Sequence, residues 1–180
     1  MKQFCILILL SAAALEVPAK APSKAAVVSC LSAQSLSTSI KWNPLPTEKI
    51  TSEDDYVGGF NAVYYIKWGS TPIGYAERGP VKAVFYSKQL FPIAGALPLT
   101  GFDTRPTELD PFAAEWATLA EQNGTYLCIS FPYGDLGQSG SFQKNRSAYL
   151  LELGNKKGTH VLYSATGNLD ALRTNQGQKK

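Results

Sequence analysis

The sequence predicts an α+β fold: one main helix packed on a twisted antiparallel β-sheet, with a β-rich N-terminal half. Three observations carry this. The last third, Ala148–Asn175, alternates short β-prone runs with Gly/Asn/Lys turns, the pattern of an antiparallel meander. Asp110–Gln122 begins with an Asp-Pro pair and spaces Phe112, Trp116 and Leu119 at i, i+4 and i+7, as one apolar stripe of a helix would. Phe60–Trp68 and Val81–Ser87 are rich in Val, Ile, Tyr and Phe, residues that favour strands.

Taken in order, residues 1–19 form an export signal. Lys2 supplies the positive end, and Phe4–Ala14 is an apolar run well short of the ~20 residues a spanning helix needs. Val17-Pro18-Ala19 offers the cleavage site. The remainder, 20–180, reads as a single domain with 44% hydrophobic content over the whole chain, enough for a core. Secretion to the extracellular space is expected, or to the periplasm if the source is bacterial. No membrane segment remains after cleavage, and a monomer is expected.

Val27–Leu31 and Ile40–Trp42 read as short strands, and Asn43–Asp55 as a proline-bearing loop with an acidic cluster. Phe60–Trp68, Ile73–Ala76 and Val81–Ser87 are strands separated by Gly/Pro turns. Leu90–Pro106 is a long ordered loop. After the predicted helix, Gly124 supplies a stop, Tyr126–Phe131 is a strand, and Pro132–Ser141 a glycine-rich loop. The closing meander places strands at Ala148–Leu153, Thr159–Ser164 and Leu169–Thr174.

Cys5 leaves with the signal. Cys30 and Cys128 remain, and two cysteines in an exported chain point to one disulfide. Two sequons, at Asn123 and Asn145, are candidate glycosylation sites that matter only in a eukaryotic secretory pathway.

The chemistry-bearing residues are few. There is one histidine, His160, and no Cys/His cluster at ligand spacing, so neither a metal site nor a cofactor is expected. A net charge of +3 is not the footprint of a dedicated nucleic-acid binder. Gly137–Ser141 misses the second glycine of a nucleophile elbow. What is left is Glu152, His160 and Arg173 on successive predicted strands. Strand alternation sets Glu152 opposite Tyr149, Leu151 and Leu153, and His160 opposite Val161 and Tyr163, so both polar groups are expected off the aliphatic face. A carboxylate beside an imidazole can move protons in phosphodiester or glycoside cleavage. The plainer reading is a solvent-facing polar row.

The stretch Thr159–Gly177, with Val161, Tyr163, Leu169, Thr174 and Gly177 in step, resembles the closing hairpin of the small secreted guanyl-specific ribonucleases of fungi. That resemblance implies a helix followed by antiparallel strands, with Glu152 nearest the family's catalytic glutamate. It also implies a loss of chemistry. The family's arginine position holds His160, and its general-acid histidine position holds Asn175, whose amide cannot protonate a leaving oxygen. With Tyr-x-Leu-x-x-x-Asn-Lys-x-Gly from Tyr149, the chain is similar to the catalytically dead ribonuclease-like effectors secreted by fungal plant pathogens. It departs from them where Cys30 follows Val28-Ser29 instead of Tyr-x. The resemblance implies a virulence effector that is not an enzyme and binds host protein or host RNA. Its binding face would comprise Tyr149, Glu152, His160 and Arg173 beside the basic turn Lys156-Lys157. The alternatives are a secreted ribonuclease or other hydrolase, and a bacterial periplasmic inhibitor or immunity-type module.

Overall fold

A computed structural model describes residues 21–46, 52–102, 108–122, 124–133, 144–153 and 160–172. It shows two β-sheets and one short helix. This corrects the α+β expectation, because the main helix predicted over Asp110–Gln122 is a strand. The helix α1 is Lys24–Leu31, and it takes in Val27–Leu31, which the sequence reads as a strand.

Sheet A has six strands in the order β1 (Lys41–Pro44), β8 (Glu115–Glu121), β9 (Gly124–Pro132), β10 (Asn145–Leu153), β11 (Leu162–Asn168) and β7 (Leu97–Pro98). Only the β11–β7 pair is parallel. Sheet B is a five-stranded meander: β2 (Glu53–Val57), β3 (Phe60–Trp68), β4 (Thr71–Arg78), β5 (Val81–Tyr86) and β6 (Gln89–Pro92). A single 3-10 turn, Ile93–Gly95, leads from β6 into β7. Helix α1 covers one face of sheet A, and sheet B covers the other.

That layering explains the failed helix. Asp110 does organise a turn: its Oδ1 accepts the amides of Phe112 and Ala113. The chain then leaves the turn as a strand because its apolar residues belong to two faces. Trp116 enters the core between the sheets, and Leu119 the core beneath α1. A helix would put both on one side. Trp116 stacks on Tyr64 of β3 at 4.7 Å and donates its indole N–H to the carbonyl of Pro111. Phe112, the third member of the supposed stripe, is left 60% exposed.

The reverse holds for α1. Its Val-Val pair favours a strand. Ser23 overrides this by capping the first turn, its Oγ accepting the amide of Ala26. Ala26, Val27, Cys30 and Leu31 then lie over Leu119, Tyr126, Cys128, Leu150 and Ala165. The Cys30–Cys128 disulfide forms as expected and ties α1 to the middle of sheet A. At the same end of the helix, Arg146 donates to Ser130 Oγ, which donates on to the carbonyl of Leu31. The guanidinium also reaches Glu115 at 3.2 Å. A cation at the C-terminal end of a helix interacts favourably with its dipole.

Between the sheets, Tyr64, Ile66, Ile73, Tyr75 and Val84 pack on Leu127, Ile129, Tyr149, Leu151 and Leu153. Sheet B curls away from this interface around a second, smaller cluster of Phe60, Ala62, Ala76, Ala83 and Phe85. A bulge between Ala62 and Tyr64 turns β3. Gly74 admits the close approach: a Cβ there would overlap the carbonyl of Tyr64 and sit 2.6 Å from Phe85 Cζ. The curl brings Tyr56 of β2 onto Phe85 of β5, ring centroids 4.9 Å apart.

Strands Phe60–Trp68, Val81–Tyr86 and the β9–β10–β11 set lie where the sequence expects them, with ends shifted by a few residues. The third meander strand does not form; 169–172 is a helical turn. The loops expected over Asn43–Asp55 and Leu90–Pro106 contain the end of β1, the start of β2, most of β6 and all of β7. These are edge strands, and they carry the residues that hid them. Leu45 and Leu99 donate inward, to Trp116 and Ser164, which leaves Pro44 and Pro98 on the outward positions where a missing N–H costs nothing. β6 ends on Pro92, and β2 carries exposed Glu53, Asp54 and Asp55 beside an irregular register. Proline, charge and bulges are the devices that stop sheets from extending edge to edge.

Candidate functional site

The binding face expected on the closing strands is not one face. In β10, Tyr149, Leu151 and Leu153 enter the core between the sheets, while Ala148 and Leu150 enter the core under α1. Tyr149 is fully buried and stacks on Phe131 at 5.8 Å. It cannot offer a ring to a nucleobase. Glu152 shares the parity of Ala148 and Leu150 and therefore lies on the α1 side, directly opposite Tyr126 of β9 in register.

His160 goes the other way. It precedes β11, and its ring packs edge-on against Tyr86 of β5 and Phe91 of β6, both of sheet B. Its Nδ1–H donates to the backbone carbonyl of Glu152 at 2.8 Å. The imidazole thus touches the main chain of Glu152, not its carboxyl. The expectation that the two side chains share a polar face is corrected, because His160 lies outside the ladder and the core between the sheets claims its ring. Lys156, Lys157, Arg173 and Asn175 lie outside the described residues, as do Asn123, Gly137–Ser141 and the signal segment. Asn145 opens β10, half-buried, with its Oδ1 accepting from Asn168 at 2.8 Å.

Glu152 is 8% exposed, and its Oε2 has no hydrogen-bond partner. Burial pushes its carboxyl above the usual glutamate range, with the nearby His160 pulling weakly the other way. Tyr126 and Tyr163 flank it. Burial, reinforced by Glu152, raises the hydroxyl of Tyr163, and burial, reinforced by Glu121 and Glu152, raises that of Tyr126 above the usual tyrosine range. Sequence reasoning missed both tyrosines as neighbours of Glu152. A signal was present: Tyr126 shares the parity of Cys128, so pairing Cys30 with Cys128 already placed Tyr126 beneath whatever carries Cys30.

Two shallow clefts border β7. One, of ≈ 320 Å³, lies beside α1 and is lined by Lys24, Val27, Leu99, Phe102 and Tyr163 among others. The other, of ≈ 220 Å³, holds His160 with Phe91, Pro92 and Leu162. Leu97, 52% exposed, separates them. No group of three or more His, Cys, Asp or Glu able to hold a metal occurs among the described residues, and no described helix is long and apolar enough to cross a membrane. No protein-family model, curated protein or solved structure matches the chain.

Proposed function

We propose that this is a secreted protein that acts by binding a protein partner, without catalysis, as a disulfide-stapled monomer. One observation carries the reading. The only carboxylate–imidazole pair the sequence offered is not joined side chain to side chain: the imidazole bonds the main chain of Glu152 and packs on Tyr86 and Phe91, while the carboxyl is buried with one oxygen unpartnered. Proton transfer needs donor and acceptor within hydrogen-bond reach of one substrate atom. Burial of Tyr149 likewise weighs against RNA, because single-stranded recognition depends on exposed aromatic faces.

Phe112 is the best-supported anchor for a protein partner. It is the most exposed large apolar side chain described, yet its turn is fixed by Asp110 below and by Trp116 behind, and its ring meets Tyr64 edge-on. A rigid aromatic loses little entropy on binding, and residues of this kind dominate interface energetics. Proline and charge on the sheet edges favour a side-chain-mediated contact over strand addition.

The test uses purified protein and labelled single-stranded RNA over a range of salt. Neither retention on a filter nor cleavage is expected. Retention that weakens steeply with salt would establish RNA as the ligand. Cleavage that disappears in both Glu152→Gln and His160→Ala would establish a hydrolase. Phe112→Ser is expected to leave the urea midpoint unchanged and to abolish co-purification of the partner from the native extracellular fluid. Undiminished co-purification would remove Phe112 as the anchor.

A further inference from the structure

Glu152 has a place in the fold that binding does not explain. Its backbone is fully employed: the amide donates to Val161 and the carbonyl accepts from His160. Its carboxyl is enclosed on the α1 side of sheet A with one oxygen unpartnered. Burial is what disfavours its charge, and the one charged group that acts on it, His160, opposes burial only in part; Tyr126 and Tyr163 feel the carboxyl in turn. Tyr126 faces it from β9 and Tyr163 from β11, and Glu121 closes β8 nearby. Glu121 is already engaged with α1, its Oε1 accepting the Ser23 amide at 2.9 Å. The one imidazole, His160, bonds the Glu152 carbonyl and packs its ring on Tyr86 and Phe91, close enough to act on the carboxyl without bonding its unpartnered oxygen. Lys24, on the first turn of α1, is exposed to solvent and makes no ion pair with a described residue.

We infer that Glu152 is a proton-operated latch for α1. Protonated, the carboxyl is neutral and the first turns of α1 bed down over Tyr126 and Tyr163. Ionised, it leaves a desolvated negative charge with an unpartnered oxygen on the α1 side of sheet A, and the N-terminal half of α1 lifts. The C-terminal half cannot follow, because Cys30 is bonded to Cys128 and Leu31 is held through Ser130 by Arg146. An eight-residue helix has little stability of its own, so it stays formed only while packed.

The sign follows from burial. The carboxyl holds its proton more tightly in the folded protein than in the unfolded chain, where it titrates at about pH 4.3. Its contribution to the seating of α1 is therefore complete below that pH and is lost as pH rises through the folded-state value.

Amide hydrogen exchange across pH 4.5 to 8, corrected for intrinsic rates, reads the latch directly. Protection of Val27 and Val28 is expected to fall as the carboxyl ionises. Protection at Leu127 and Ile129 in β9 should hold. In Glu152→Gln, close in shape and without the charge, α1 protection should be flat with pH. Glu121→Gln, which keeps an acceptor for Ser23, should retain the pH dependence. An unchanged pH dependence in Glu152→Gln, or an equal loss of protection in β9 and α1, would overturn the latch.

Discussion

Replacing Cys30 and Cys128 together by alanine should lower the unfolding free energy by about 4–5 kcal/mol, the value expected for opening a loop of this length. The two residues are 98 apart in sequence, so the bond removes a large amount of freedom from the unfolded chain. It also joins the elements least able to find each other otherwise. Helix α1 stands at the start of the described chain, and β9 at the centre of sheet A. A domain of ordinary stability, about 5–15 kcal/mol, would lose a quarter or more of it. Urea unfolding of the oxidised protein and of the double variant measures the difference. A loss below about 1 kcal/mol would mean that packing of α1, and not the covalent tie, holds the helix in place. Both sulfurs are fully buried, so reductant should act on the native protein only as fast as α1 opens.

Gly74→Ala should be nearly as damaging, with a loss of about 3 kcal/mol or more. Gly74 lies mid-strand in β4, paired with Tyr65 on one side and Phe85 on the other. The added methyl would drive into the carbonyl of Tyr64 and the edge of the Phe85 ring. A side chain can rotate away, but a backbone carbonyl inside a ladder cannot. Overpacking in a closed core costs roughly 1–3 kcal/mol, more where main chain must move. Gly95→Ala is the matched control, since nothing lies within 4 Å of a Cβ placed there. It should stay within about 0.5 kcal/mol of the parent. Equal midpoints for the two variants would show that sheet B can relax its curl, and that Gly74 is not what sets it.

Much of sheet A and sheet B was legible in the residues. Phe60–Trp68 alternates cleanly apart from its bulge, and β9 and β10 are long apolar runs bounded by turn residues. Strands buried on both faces read as continuous hydrophobic runs, and β9 and β10 do so because α1 covers one side and sheet B the other. The misreading of Glu115–Glu121 has the same cause. When both faces are buried, alternation disappears, and Trp116 with Leu119 can pass for a helical stripe. Asp110 added a true local signal, since it does nucleate a turn, but a turn that precedes a strand. Lys24–Leu31 failed in the opposite sense. Eight residues with two adjacent valines carry a weak local preference, and the cap at Ser23 with the surface offered by sheet A decided the outcome.

The candidate site was legible in its members and not in its arrangement. Parity along β10 correctly set Glu152 apart from Tyr149, Leu151 and Leu153. It could not say that the opposite side is also buried, because that depends on α1, which was expected as a strand. His160 was assigned to a strand it narrowly precedes, and the two aromatic rings that hold it come from β5 and β6, about seventy residues earlier.

From its residues alone, this protein shows the strands of β9 and β10 and two cysteines able to pair, Cys30 and Cys128, because these follow from local composition and from counting. Tertiary structure alone decided which faces were covered, and so whether the Glu152 carboxyl met water or the interior, and whether the His160 ring met that carboxyl or two rings from the other sheet. The reason is physical: alternation tells a strand that it has two sides, but only the layers packed on it determine which side is dry.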